Sequence, residues 1–133
     1  AGEKLPPNVI SALADCGYTS AKEIIKKVIA DKKLPPKLAY PFVKLGARIF
    51  GRFDLEKYSP IKAMEHCTIP IIFIHGTEDD FVPYEMSVQN FKTCSHKIKK
   101  MVSVEGAGHG LSYLVDKKGY LKAIREFDEM IGK

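Results

Sequence analysis

The run IIFIH at residues 71–75, with Gly76 directly after it, constrains the fold more than any other part of the sequence. Its continuous hydrophobicity, rich in β-branched and aromatic side chains, is typical of a strand buried on both faces of a parallel sheet. Shorter apolar runs at residues 9–14 and 101–104 predict two further strands, and segments with helical periodicity separate the three. We therefore expect an α/β fold with about three parallel strands and flanking helices, in a single domain spanning residues 1–133.

The longest helical segment is residues 19–58, which Pro35 and Pro36 divide into two predicted helices. Each has an apolar face at helical spacing, formed by Ile24, Ile25, Val28 and Ile29 in the first and by Leu38, Phe42, Leu45 and Ile49 in the second. Ser59 and Pro60 are a typical helix start, and that helix is expected to end near residue 67. Two later helices are predicted at residues 84–94 and 116–131.

Charge is concentrated in this helical segment. Residues 22–52 contain nine basic and two acidic residues, a charge of +7, which leaves −2 for the rest of a chain whose net charge is +5. No known nucleic-acid-binding motif occurs in this segment, so we predict a solvated helix face and no nucleic-acid partner. The spacing of the cysteines and histidines fits no zinc pattern, so we expect reduced thiols, no metal and no cofactor.

Polar residues follow each predicted strand: residues 15–18 after the first, 75–83 after the second and 106–110 after the third. The carboxyl ends of parallel strands lie at one edge of the sheet, where catalytic groups collect. Asp79 and His109 occupy two of these loops, and a carboxylate beside an imidazole orients the ring as a general base toward a hydroxyl nucleophile. We therefore predict Asp79 and His109 as catalytic residues.

Other roles remain open for these residues at this point. Asp79 or Asp80 would serve equally well as a cap for the helix that follows, and His109 alone could be an exposed loop histidine. Asp15 is the second candidate for the acid. His75, which follows the strand directly, is expected to shape the turn rather than take part in the chemistry.

The segment PIIFIHGTEDDFVP, followed by VEGAGHG, resembles the serine α/β-hydrolase superfamily, in which HGxxDxxVP carries the acid and GxGH the base. Upstream, ADCGYTS and YSPIKAM are similar to bacterial members of the prolyl-oligopeptidase-like and BEM46-like types. The resemblance implies the carboxyl-terminal half of that fold, with Asp79 as acid and His109 as base. It also implies cleavage of an ester, thioester or peptide bond, and a lid formed by residues 19–58.

The sequence departs from the superfamily at the nucleophile. The GxSxG elbow, which precedes the acid and the base in such proteins, does not occur here, and Ser112 near His109 follows no elbow. Residues 1–9 (AGEKLPPNV) resemble the end of the helix after that elbow. We therefore expect a fragment of a larger serine hydrolase, inactive alone, whose serine lies upstream.

A non-catalytic α/β module for binding or assembly is the alternative. The strand at residues 9–14 would then be an unprotected apolar edge, which favours a homodimer. No apolar run approaches the roughly 20 residues of a membrane-spanning helix. The cytoplasm is favoured as the location, and a membrane anchor in a preceding segment is left open.

Overall fold

The computed structural model describes residues 5–132. Three parallel strands form one sheet in the order β1 (Ala12–Asp15), β2 (Ile71–Gly76) and β3 (Lys99–Val104). The helices are α1 (Ala21–Asp31), α2 (Pro36–Ile49), α3 (Pro60–Met64), α4 (Tyr84–Thr93), α5 (Ser112–Val115) and α6 (Lys117–Met130). The predicted α/β class and the parallel sheet are confirmed.

Strand β2 lies at the centre of the sheet, and every residue in it is buried. Because successive side chains point to opposite faces of a strand, β2 contributes to two cores. Ile72 and Ile74 pack with residues of β3 and α6 on one face, including Val104, Ala123 and Phe127. Ile71 and Phe73 pack on the other face with Met64, Cys67 and Cys94. The continuous hydrophobicity of the sequence therefore corresponds to burial on both sides.

Strand β1 is shorter and less buried than predicted. It begins at Ala12 instead of residue 9, its residues alternate between half-buried and exposed, and it forms an edge of the sheet. The parallel register explains why β1 begins at Ala12, because Ala12 pairs with Ile71, the first residue of β2. Residues 9–11 therefore lie before the start of the neighbouring strand. The same register makes β3 longer than predicted, since Ile71 pairs with Lys99 on the other side.

The helical insertion (residues 19–58) contains α1 and α2. Ser20 caps α1 by accepting a hydrogen bond from the Glu23 amide at 3.2 Å, and Pro36 is the first residue of α2. The inner face of α2 buries Tyr40, whose hydroxyl donates to Glu56 at 3.1 Å. The predicted apolar face of α2, in contrast, is exposed to solvent. Among residues 5–132, no helix is long and apolar enough to cross a membrane.

The remaining helices follow the predicted order with small differences. Helix α3 ends at Met64 rather than near residue 67, and α4 ends at Thr93. Helix α6 begins after Asp116, whose carboxylate accepts a hydrogen bond from the Gly119 amide at 2.9 Å. The four-residue helix α5 was not predicted, because a single turn is too short for helical periodicity to show.

Candidate active site

The loops after β2 and β3 are docked tightly against each other. A Cβ atom at Gly76 would lie 2.1 Å from the carbonyl oxygen of Ala107, so only glycine fits at the end of β2. The same carbonyl accepts a hydrogen bond from the Glu78 amide at 3.0 Å, and the Thr77 side chain accepts one from the Gly106 amide at 3.0 Å. This close approach holds the two predicted catalytic loops side by side.

Asp79 and His109 meet across this contact. Nδ1 of His109 donates to Oδ2 of Asp79 at 2.8 Å. The side chain of Asp79 is fully buried, whereas that of His109 is 41% exposed. Since Nδ1 is held by the carboxylate, Nε2 is the ring atom that can take a proton from a hydroxyl.

The carboxylate of Asp79 is held by four hydrogen bonds. Oδ1 accepts from the backbone amides of Phe81 at 3.0 Å and Val82 at 2.8 Å, and Oδ2 accepts from His75 at 3.0 Å as well as from His109. Burial by itself raises the pKa of Asp79, but the His109 hydrogen bond, the Val82 amide and the electrostatic interaction with the two imidazoles outweigh it. The net effect lowers the pKa of this carboxyl, so Asp79 is ionised at neutral pH.

His75 contacts Asp79 directly, whereas from the sequence we expected it only to shape the turn. Its side chain is completely buried, and its Nε2 faces both Asp79 Oδ2 and the carbonyl oxygen of Val82 at 2.9 Å. Two acceptors on one nitrogen require that Nε2 carry the proton. On the other side of the ring, Nδ1 and Ser87 Oγ share a hydrogen bond of 2.6 Å, and Ser87 donates to the Gly17 carbonyl at 3.2 Å.

The loop after β1 also reaches this site. The Sγ atom of Cys16 accepts a hydrogen bond from the Gly110 amide at 3.3 Å, which joins two loops 94 residues apart. Cys16 has a φ of +53°, in the left-handed region that non-glycine residues rarely adopt. Burial raises the pKa of Cys16 to about 11, helped by its hydrogen bond to Asp15. The thiol is therefore protonated at neutral pH and is not an activated nucleophile.

One group of potential metal ligands lies within residues 5–132. Donor atoms of Cys16, Asp79 and His109 all lie within 4.8 Å of one another. The thiol is protonated and the carboxylate is already occupied by hydrogen bonds, so a metal would have to displace a proton and break the Asp79–His109 bond. The geometry therefore suits an acid–base pair better than a metal centre.

None of the other candidate residues makes a side-chain hydrogen bond to His109 in the described part of the chain. Asp15 accepts hydrogen bonds from the Tyr120 hydroxyl at 3.0 Å and from Cys16 at 3.3 Å, rather than from His109. Asp80 is exposed, and its backbone carbonyl accepts a hydrogen bond from Lys27 of α1. Ser112 is fully buried at the start of α5, and its hydroxyl has no hydrogen-bond partner in the described part of the chain.

A cavity of about 740 Å³ opens between α1 and the strand ends. One wall is the predicted apolar face of α1, made of Ile24, Ile25, Val28 and Ile29. The opposite wall consists of Cys16, Phe81, Val82 and His109. The ring of Phe81 lies 5.1 Å from that of His109, centroid to centroid. The exposed ring of His109 therefore faces a cavity with largely apolar walls.

None of the known protein-family models matches the sequence. Over 116 residues the chain is 24% identical to the uncharacterized protein YqkD of Bacillus subtilis, a match that covers 86% of this chain and 38% of that protein. It is 28% identical over 75 residues to the human alpha/beta hydrolase domain-containing protein 17B, covering 56% of this chain and 25% of that one. The chain thus spans well under half the length of these curated relatives.

The fold is also found in solved structures. An esterase of Pyrococcus furiosus superposes with a TM-score of 0.64 over 96% of this chain and 46% of its own, at 18% sequence identity. At this identity the likeness establishes a shared fold. The present strands and helices correspond to part of that larger enzyme.

Proposed function

We propose that this chain, which has the fold of part of an α/β-hydrolase, supplies the acid and the base of a Ser-Asp-His triad. The serine is expected in a part of the protein outside these 133 residues, because GxSxG does not occur in the sequence. The observation that carries the proposal is the 2.8 Å hydrogen bond from His109 to a fully buried Asp79.

In the proposed reaction, Nε2 of His109 takes the proton of the serine hydroxyl while the oxygen attacks a carbonyl carbon. Asp79 stabilises the imidazolium that forms, and His109 then gives the proton to the leaving group. A water molecule releases the acyl group by the same steps. The lowered pKa of Asp79 supports this role, because the carboxylate must remain ionised beside the charged ring.

The apolar lining of the cavity favours an ester, thioester or peptide substrate whose acyl part is apolar. The isoleucines and Val28 of α1 form one wall, opposite His109. We therefore propose that the helical insertion is a lid over the substrate, as the resemblance implied. Deletion of residues 22–52 from the full-length enzyme is expected to change its preference among acyl chain lengths, and unchanged preference would contradict the lid assignment.

The triad is tested in the full-length protein encoded by the same gene. Asp79→Asn is expected to lower kcat about 10⁴-fold, because the amide favours the wrong tautomer of His109. Asp80→Asn is the matched control, and its kcat is expected to stay within about twofold of wild type because Asp80 is exposed and makes no side-chain bond to His109. A fluorophosphonate probe should label the full-length enzyme and leave the 133-residue chain unlabelled. Equal loss in both variants, or stoichiometric labelling of the chain, would contradict the proposal.

A binding or assembly module is the second candidate. Strand β1 supports it, because β1 is an edge strand on which Leu13 is exposed. In that case we expect dimers joined along β1 at tens of micromolar, measured by light scattering. Leu13→Lys should return such dimers to monomers, and a monomeric wild-type chain would count against the module.

A further inference from the structure

Helix α2 presents an apolar stripe to solvent. Leu38, Phe42, Leu45 and Ile49 are 68%, 75%, 53% and 58% exposed. At about 100° per residue these four positions fall within one narrow sector of the helix, opposite the buried Tyr40. Phe50 and Phe53, in the residues directly after α2, are also exposed. An exposed apolar patch of this extent is typical of a surface that contacts another protein or a membrane.

A row of basic residues flanks the stripe on one side. The helical spacing places Lys37, Lys44 and Arg48 together along that flank, and α2 contains no acidic residue. Lys44 is paired with Glu56 of the following loop, whereas Lys37 and Arg48 are exposed. Arg52 continues the positive charge after the helix. The stripe and the row together make the outer face of α2 both apolar and cationic.

We propose that the outer face of α2 docks on the surface of an anionic phospholipid bilayer. A helix with one apolar and one cationic side lies in the plane of such a surface, with its apolar side chains among the acyl chains and its cations at the headgroups. Charge complementarity selects this partner, because a bilayer supplies hydrocarbon and negative charge along the whole length of the helix. Val43 of α2 lines the cavity, so docking would bring the cavity close to the bilayer.

Flotation of the full-length protein with lipid vesicles tests the proposal without any measurement of enzymatic activity. We expect binding to equimolar phosphatidylcholine and phosphatidylglycerol, weakened by salt, and much less binding to phosphatidylcholine alone. The double variant K37Q/R48Q should lower the partition coefficient about 25-fold, at about fivefold for each basic residue. The control K117Q/K118Q makes the same charge change at the exposed start of α6 and should bind as wild type.

A second variant, F42S/L45S, separates the apolar contribution from the charge. It should reduce binding to the mixed vesicles while the far-UV circular dichroism stays unchanged, because both side chains are exposed. An equal loss of binding in K37Q/R48Q and K117Q/K118Q would overturn the proposal. Equal binding of the wild-type protein to both vesicle types would also overturn it. So would a wild-type dimer that F42S/L45S converts to monomers without any change in lipid binding, since the stripe would then bind a second copy of the chain.

Discussion

Replacing His75 with leucine tests whether the buried imidazole stabilises the loop that carries the acid. Leucine fills a similar volume, so the principal change is a loss of hydrogen bonds rather than a new cavity. The three bonds that disappear are those to Asp79, to the Val82 carbonyl and to Ser87. A buried hydrogen bond contributes about 1 kcal/mol net, so the free energy of unfolding should fall by about 3 kcal/mol.

Urea unfolding followed by circular dichroism measures this loss. A decrease of about 3 kcal/mol changes the unfolding equilibrium constant by about two orders of magnitude, and it should lower the urea midpoint by about 2 M. His66→Leu is the matched control, because His66 is exposed after α3, and it should change the stability by less than about 0.5 kcal/mol. A His75→Leu protein within about 0.5 kcal/mol of wild type would refute the view that this network stabilises the fold.

Three further predictions follow from single contacts. Gly76→Ala should destabilise the chain by about 3 kcal/mol in urea unfolding, because its Cβ would clash with the Ala107 carbonyl, whereas Gly46→Ala, with nothing within 4 Å, should not destabilise it. Lys44 lowers the pKa of Glu56 to about 2, so Glu56→Gln should be less stable than wild type above about pH 4.5, and the difference should vanish as the pH falls toward 2. Cys16, with its pKa raised to about 11 by burial, should react with iodoacetamide far more slowly at pH 8 than a free cysteine, and fast alkylation would contradict its burial.

Local patterns predicted most of the elements. The short apolar run at residues 71–74 predicted β2, since β-branched and aromatic residues bounded by Pro70 and Gly76 are typical of a strand buried on both faces. The periodicity of residues 116–131 likewise predicted α6, on which Ala123 and Phe127 are buried against the sheet. Asp79 and His109 were predicted from their loops at the carboxyl ends of parallel strands, and the resemblance to HGxxDxxVP favoured Asp79 over Asp80 and Asp15. Their contact at 2.8 Å follows that expectation, and the proposed catalysis stays a prediction.

The sequence by itself determined the α/β class, the parallel sheet and the order of the longer elements, because these depend on side-chain patterns within single segments. Tertiary structure decided what depends on partners distant in the chain. The register with β2 determined that β1 begins at Ala12. In α2 the buried residue is Tyr40, and the apolar stripe on the opposite side of the helix therefore faces solvent. Only the folded chain places Cys16 beside Gly110, since no local pattern encodes a contact across 94 residues. His75 and Asp79 are only four residues apart, and the conformation of the turn after β2 brings their side chains together.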